Sequence, residues 1–160
     1  MQGYISIEIP TKPYIKAYVH HRMGAKPLMT ADCNSIGHKL YDLLQHDTNE
    51  FGSRKLNSMY TCKMRVYIPI ATFHHRGANL NITNLKNFNR YIERKIKDRF
   101  YELMDEGLEV LNNFNSNLPE VRRKLGIDLE AWSDDSMKKD YYRYRQKMKA
   151  PKNISAAYVP

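Results

Sequence analysis

Six apolar side chains, Leu85, Phe88, Ile92, Ile96, Phe100 and Leu103, follow one another at steps of three or four residues, and this stripe restricts the fold more than anything else in the chain. The period is that of an α-helix with one core-facing side; a strand would send the same residues to alternating faces. The stripe continues through Val110, Leu111 and Phe114, and Asn84 or Thr83 stands where a cap is expected. Gly107 interrupts it at a cost of about 1 kcal/mol relative to alanine, so the pattern admits one long helix or two joined there. The opposite side carries Glu93, Lys97, Asp98, Glu102, Asp105 and Glu106, which reads as a solvated outer face.

A stripe of this length needs apolar partners, and the residues before it supply them. Over 4–10, Ile5, Ile7 and Ile9 alternate with Ser6 and Glu8, which predicts a half-buried strand ended by Pro10. Thr11 is then placed to cap a short helix with Pro13 in its first turn, a stripe of Tyr14, Ile15, Tyr18 and Val19, and Gly24 at its end. A second helix is expected over 35–46 from Ile36, Leu40, Leu43 and Leu44, with Asp32 or Asn34 as cap, followed by a polar loop to about residue 59. Over 64–70, Met64, Val66, Ile68 and Ile70 alternate with Arg65, Tyr67 and Pro69, which predicts a second strand with an edge or bulge at the proline. Two strands alone are marginal. They must pair with each other against the helices or complete a larger sheet in a dimer. The fold class expected is α+β, mostly helical, with a small two-stranded sheet and a long central helix.

Beyond residue 116 the pattern changes. Pro119 is expected at a helix start, the basic turn VRRKLGI ends at Gly126 and Ile127, and Ser133 is placed to cap a further helix with Asp134 and Asp135 in its first turn. The two helices outline a helix-turn-helix-like pair, although 127–132 is longer than the connection of the tight motif. The organisation expected is a strand-helix-helix-strand-long helix core over 1–116, a basic helical region over 117–149 packed on it, and a tail over 150–160.

Charge now becomes informative. The chain of 160 residues has 26 Lys and Arg against 17 Asp and Glu, a formal net charge of +9. Residues 1–80 hold 10 basic and 5 acidic side chains, 81–117 hold 6 and 6, and 118–160 hold 10 and 6, so the excess lies outside the long helix. A basic surplus favours polyanionic partners, with nucleic acid ahead of anionic membrane. No apolar run is long enough to span a bilayer, the beginning MQGYISIEIP lacks the pattern of a signal peptide, and two cysteines form no disulfide framework. A cytoplasmic protein is the expectation.

The densest positive stretch is 138–149, where Asp140 is the single acid. Met137, Tyr141, Tyr144 and Met148 form a stripe suited to packing on Trp132 and the long helix. The other side presents Lys138, Lys139, Tyr142, Arg143, Arg145, Gln146 and Lys149. Arginine forks to guanine or phosphate, glutamine pairs with adenine, lysine neutralises phosphate and tyrosine donates to phosphate oxygens. With Arg122, Arg123 and Lys124 these residues make the expected contact set for double-stranded DNA. A plain alternative is that a basic terminal helix is merely soluble and matched to its own dipole.

The segments ISIEIPTKPYIKAYVHHRMG and KLGIDLEAWSDDSMKKDYYRYR resemble small basic proteins of phages and integrated mobile elements of Bacteroides-like bacteria. The resemblance touches about a quarter of the chain. It implies a DNA-binding C-terminal region, a regulator or accessory factor of a phage or mobile element, and no catalytic residue. A virion-structural or adaptor protein, with basic patches facing packaged DNA or acidic virion proteins, is the other function that setting implies, and self-association accompanies both.

Enzyme chemistry finds no support in the motifs. Nucleophile elbow, phosphate-binding glycine loop, dinucleotide turn and H-E-x-x-H pair are all lacking. Adjacent acids such as Asp105 and Glu106 point apart on a helix and make poor two-metal sites. Tyr141, Tyr142 and Tyr144 beside Arg143 and Arg145 suggest a recombinase-like nucleophile, but twelve tyrosines make such neighbours common. Cys33, His38, Cys62, His74 and His75 lack the close paired spacing of structural zinc sites, so neither metal nor cofactor is expected. The pairs His20-His21 and His74-His75 are expected near turns, where they would gain charge as pH falls towards 6.

Overall fold

The computed structural model describes residues 3–24, 26–30, 35–46 and 58–149. The expectations for Asp32, Cys33, Asn34, most of the polar loop and the 150–160 tail lie outside the described residues.

The first strand, β1 (Tyr4–Thr11), forms as its alternation predicts, with Ile9 buried and Ile5 and Ile7 half-buried. Helix α1 (Pro13–Met23) follows, but its cap is Lys12 in an extended conformation, with no side-chain bond to the first turn. Thr11 is not the cap. It closes the strand, and its buried hydroxyl bonds Asn89 Oδ1 at 2.6 Å, a stronger claim on it than a helix end in water. Asn89, itself buried, donates onward to the carbonyls of Pro10 and Leu85.

Next come β2 (Leu28–Met29), α2 (Ser35–Leu43) and β3 (Cys62–Pro69). β1 and β3 pair antiparallel within the chain, from Tyr4 opposite Pro69 to Thr11 opposite Cys62. Among the described residues the sheet has three strands rather than two: β2 adds to the other side of β3, parallel, with Leu28 opposite Val66. One face buries Ile9, Met64, Val66 and Ile68; on the other Glu8 meets Lys63 at 3.2 Å and Arg65 at 3.9 Å. β3 stops at Pro69, which has no N–H for the ladder, and Ile70 opens a helix, α3 (Ile70–Arg76), instead of ending the strand. His74 and His75 lie in its last turn and His20 and His21 in that of α1.

The stripe becomes a single helix, α4 (Ile82–Leu111). Its cap is Asn81, whose side chain accepts the backbone N–H of Asn84 at 2.7 Å, so Asn84 is the donor and not the cap. Leu85, Phe88, Ile92, Ile96, Phe100 and Leu103 are all buried. Val110 and Leu111, expected to continue the stripe, are 81% and 50% exposed because the helix outruns its partners. Gly107 stays helical for a packing reason: a Cβ there would collide with the amide of Asn117, which donates to the carbonyls of Leu103 and Met104.

Asn112, in the left-handed region at φ 50°, turns the chain back, and α5 (Phe114–Leu125) begins. Its cap is Asn113, which accepts from Asn115 N at 2.9 Å and Ser116 N at 3.4 Å. Pro119 therefore lies inside the helix rather than at its start. The bond it cannot make is to the Asn115 carbonyl, and both residues are exposed, so water can serve that oxygen. Gly126, at φ 67°, ends α5 as expected. Ser133 Oγ accepts Ser136 N at 3.3 Å and opens α6 (Asp134–Lys149).

The molecule is mostly helical α+β with one continuous core. Tyr14 stacks on Trp132 at 5.1 Å and Trp132 meets the Phe100 edge at 5.2 Å, so rings from α1, the α5–α6 connection and α4 join in one column. Among the described residues no helix is long and apolar enough to cross a membrane.

Candidate nucleic-acid interface

Which side of α6 faces outward is decided by what holds its inner side. Met137 and Tyr141 are buried and Tyr144 is half-buried, with Tyr144 stacked on Tyr101 at 4.2 Å. The hydroxyls of Tyr141 and Tyr144 both donate to Asp105 of α4, and Arg145 reaches the same carboxylate at 3.4 Å. Burial, then the bond to Asp105, pushes the Tyr141 phenol up to about 12. Met148, the last member of the expected stripe, is 68% exposed, because α6 extends beyond the packing that α4 provides.

The charged side of α4 is not simply a solvated face. Glu93 accepts from Tyr14 at 2.7 Å and pairs with Lys12 at 3.1 Å and Lys97 at 3.4 Å, and Lys97 also pairs with Asp140 of α6 at 3.2 Å. These side chains are only 20–29% exposed. Burial by itself would raise the Glu93 carboxyl, but hydrogen bonds from Tyr14 and Lys12 and the charges of Lys12 and Lys97 outweigh it and hold it below its ordinary value. For Lys97 burial is likewise overruled, by Asp140 first and then Glu93, and its ammonium is held above its ordinary value. Asp140, the one acid in the basic run, is thus engaged with α4.

With that inner side fixed, Lys139, Tyr142, Arg143 and Gln146 come out together on the opposite face, and all four are exposed. Arg145, Lys147 and Lys149 are exposed and Lys138 is half-buried. Arg143 has a loose contact with Asp140 at 3.7 Å. No ion pair among the described residues engages Lys138, Lys139, Lys147 or Lys149.

The three basic residues of α5 do not join this set. Arg122 is a clamp: its guanidinium donates to the carbonyls of Ile127, Asp128 and Trp132 and pairs with Asp134, and its side chain is 14% exposed. It holds the connection to the start of α6, about 13 Å along the axis from Arg143 at helical rise. Arg123 and Lys124 are exposed but turn to Glu120, at 2.7 Å and 3.8 Å. The N-terminal turn of α6, which a recognition helix would present to a groove, carries Asp134 and Asp135. The net positive charge of α6 therefore lies in its C-terminal half, where Arg143, Arg145, Lys147 and Lys149 stand without an acid.

Two features of this arrangement escape sequence reasoning, the grip of Asp105 and the Arg122 clamp. The first was concealed among ordinary helix-face acids, and the second bonds mainly to backbone carbonyls, which leave no mark in residue types. Among the described residues no three His, Cys, Asp or Glu side chains cluster closely enough to hold a metal ion; Cys62 is half-buried at the start of β3. Compared with known protein families, curated proteins and solved structures, the chain matches none.

Proposed function

We propose that the chain binds double-stranded DNA through the outer face of α6, as a regulator or accessory factor of a phage or mobile element in the bacterial cytoplasm. The observation that carries this reading is the division of charge on that helix: its one acid beyond the first turn is drawn to Lys97, while Lys139, Lys147, Lys149 and Arg143 are left exposed to solvent. Lys139, Arg143 and Lys149 are suited to neutralise phosphates, Tyr142 to donate to a phosphate oxygen, and Gln146 to reach a base edge. Arg145 contributes as a neighbouring charge, since Asp105 shares it.

Each phosphate contact adds about 0.9 to the slope of log affinity against log salt. Replacing Lys139 and Arg143 together with alanine is expected to weaken duplex binding and lower that slope by about 2, read by gel-shift titration at several salt concentrations. Unchanged affinity and slope would remove α6 as the contact.

A second reading, a virion adaptor, draws on the exposed Val110, Leu111 and Met148, apolar groups that suit a protein partner. It calls for rings or particle association, whereas a regulator calls for a discrete oligomer with a preference for some DNA sequences.

A further inference from the structure

A groove of about 290 Å³ opens where the C-terminal end of α4, the first turn of α5 and the last turns of α6 meet, and Leu108, Phe114, Tyr141, Tyr142, Arg145 and Lys149 line it. Its volume falls just under the roughly 300–1,000 Å³ of small-ligand sites, enough for one flat ring system and too little for a large cofactor. The lining has two parts. Leu108 and the rings of Phe114 and Tyr141, whose centroids lie 5.8 Å apart, provide an apolar wall, and Tyr142 adds a ring that is 55% exposed. Arg145 and Lys149 supply positive charge, and no carboxylate is among the described residues that line it. Asp105 touches the Arg145 guanidinium from the α4 side at 3.4 Å and cannot occupy all five of its N–H donors.

Aromatic faces beside cations, with no fixed hydrogen-bonding pattern at the wall, match the chemistry of an unstacked nucleotide: a base against the rings and its phosphate on the cations. We infer that this groove is a subsite for a single-stranded DNA nucleotide, so that α6 tracks a duplex on its outer face and takes an unpaired base at its C-terminal end. The inference rests on the DNA-binding reading and extends it to frayed, nicked or single-stranded DNA. The choice of occupant follows from charge complementarity: a second copy of this basic chain would bring further positive charge against Arg145 and Lys149, whereas a nucleotide brings the opposite sign.

The test uses the full chain and two fluorescent probes, a dT10 oligomer and a hairpin-closed duplex without free ends, in anisotropy titrations. The protein is expected to bind both. Phe114→Leu, which keeps an apolar side chain but removes the ring, is expected to weaken dT10 binding about tenfold and leave the duplex affinity unchanged. Tyr142→Phe keeps the exposed ring and is expected to retain dT10 affinity. Thermal melts of both variants, matching the parent, establish that they are folded. Duplex binding without dT10 binding, or dT10 binding indifferent to Phe114→Leu, overturns the subsite while leaving the duplex reading intact. If neither probe binds, both readings fall. A concentration-dependent dimer in sedimentation that Phe114→Leu abolishes would assign the groove to a second copy and likewise overturn it.

Discussion

Arg122 belongs to the basic turn that sequence alone offers to DNA, yet its side chain is spent inside the protein, and Arg122→Ala separates the two roles. The substitution removes donors from three carbonyls, those of Ile127, Asp128 and Trp132, and breaks the pair with Asp134. Asp128 is exposed, so water can replace the guanidinium there; Ile127 and Trp132 are 2% and 6% exposed, and their carbonyls lose a charged donor. A buried acceptor left without its partner costs about 1–3 kcal/mol. The exposed half of the pair with Asp134 adds little, about 0–1 kcal/mol. The two buried carbonyls set the expected loss at about 2–6 kcal/mol, which for a chain of this length lowers Tm by roughly 4–24 °C. Urea and thermal unfolding followed by far-UV circular dichroism measure it, and duplex binding measured well below Tm should equal that of the parent protein. A stability loss under about 0.5 kcal/mol would refute the clamp, as would a folded variant whose DNA affinity drops like that of an Arg143 variant.

Two other perturbations address the packing that orients α6. Glu93 is held below its ordinary value in the folded protein, so it binds fewer protons folded than unfolded; its contribution is present above the unfolded value of about 4.3 and is lost as pH falls through the lower folded one. Glu93→Gln is therefore expected to flatten the acid limb of a stability-against-pH curve below about pH 4.3 while lowering stability at neutral pH, and an unchanged acid limb would count against it. Gly107→Ala gains about 1 kcal/mol of helix propensity but drives a methyl into the buried amide of Asn117. We expect a net loss of about 1–2 kcal/mol in urea titrations, and a gain would show that α5 can move away from α4 at little cost.

Periodicity exposed most of the fold and little of the site. Alternation found β1 and β3 because each has one buried face, and the stripe found α4 because six buried side chains recur along it. A two-residue strand such as Leu28–Met29 has no period to detect, and α3, which buries none of its residues, has no stripe. The helix starts failed for a more specific reason. Asn84, Thr83, Thr11 and Pro119 are all good starting residues, but Asn81 and Asn113 have the side-chain bonds, and Thr11 was drawn inward by Asn89, a partner 78 positions away. On α6 the exposed basic set was legible, since it is the complement of an apolar stripe. Its ion-pair partners were not, because Asp105 and Lys97 become neighbours of α6 only after the chain has turned twice.

The grip of Asp105 also fixes the rotational phase of α6. Its carboxylate takes donors from Tyr141, Tyr144 and Arg145, positions on one side of the helix within about a turn, so the angle at which Lys139 and Arg143 face outward is set from inside the helix and not by the connection before it. An insertion in that connection would leave this angle in place. One extra residue between Arg143 and Tyr144 would instead turn the two flanks against each other by about 100°, so that Tyr141 and Tyr144 could no longer reach Asp105 together. The direction of the charged surface is thus encoded by three side chains gathered on one carboxylate, and length variation can be absorbed on one side of them but not between them.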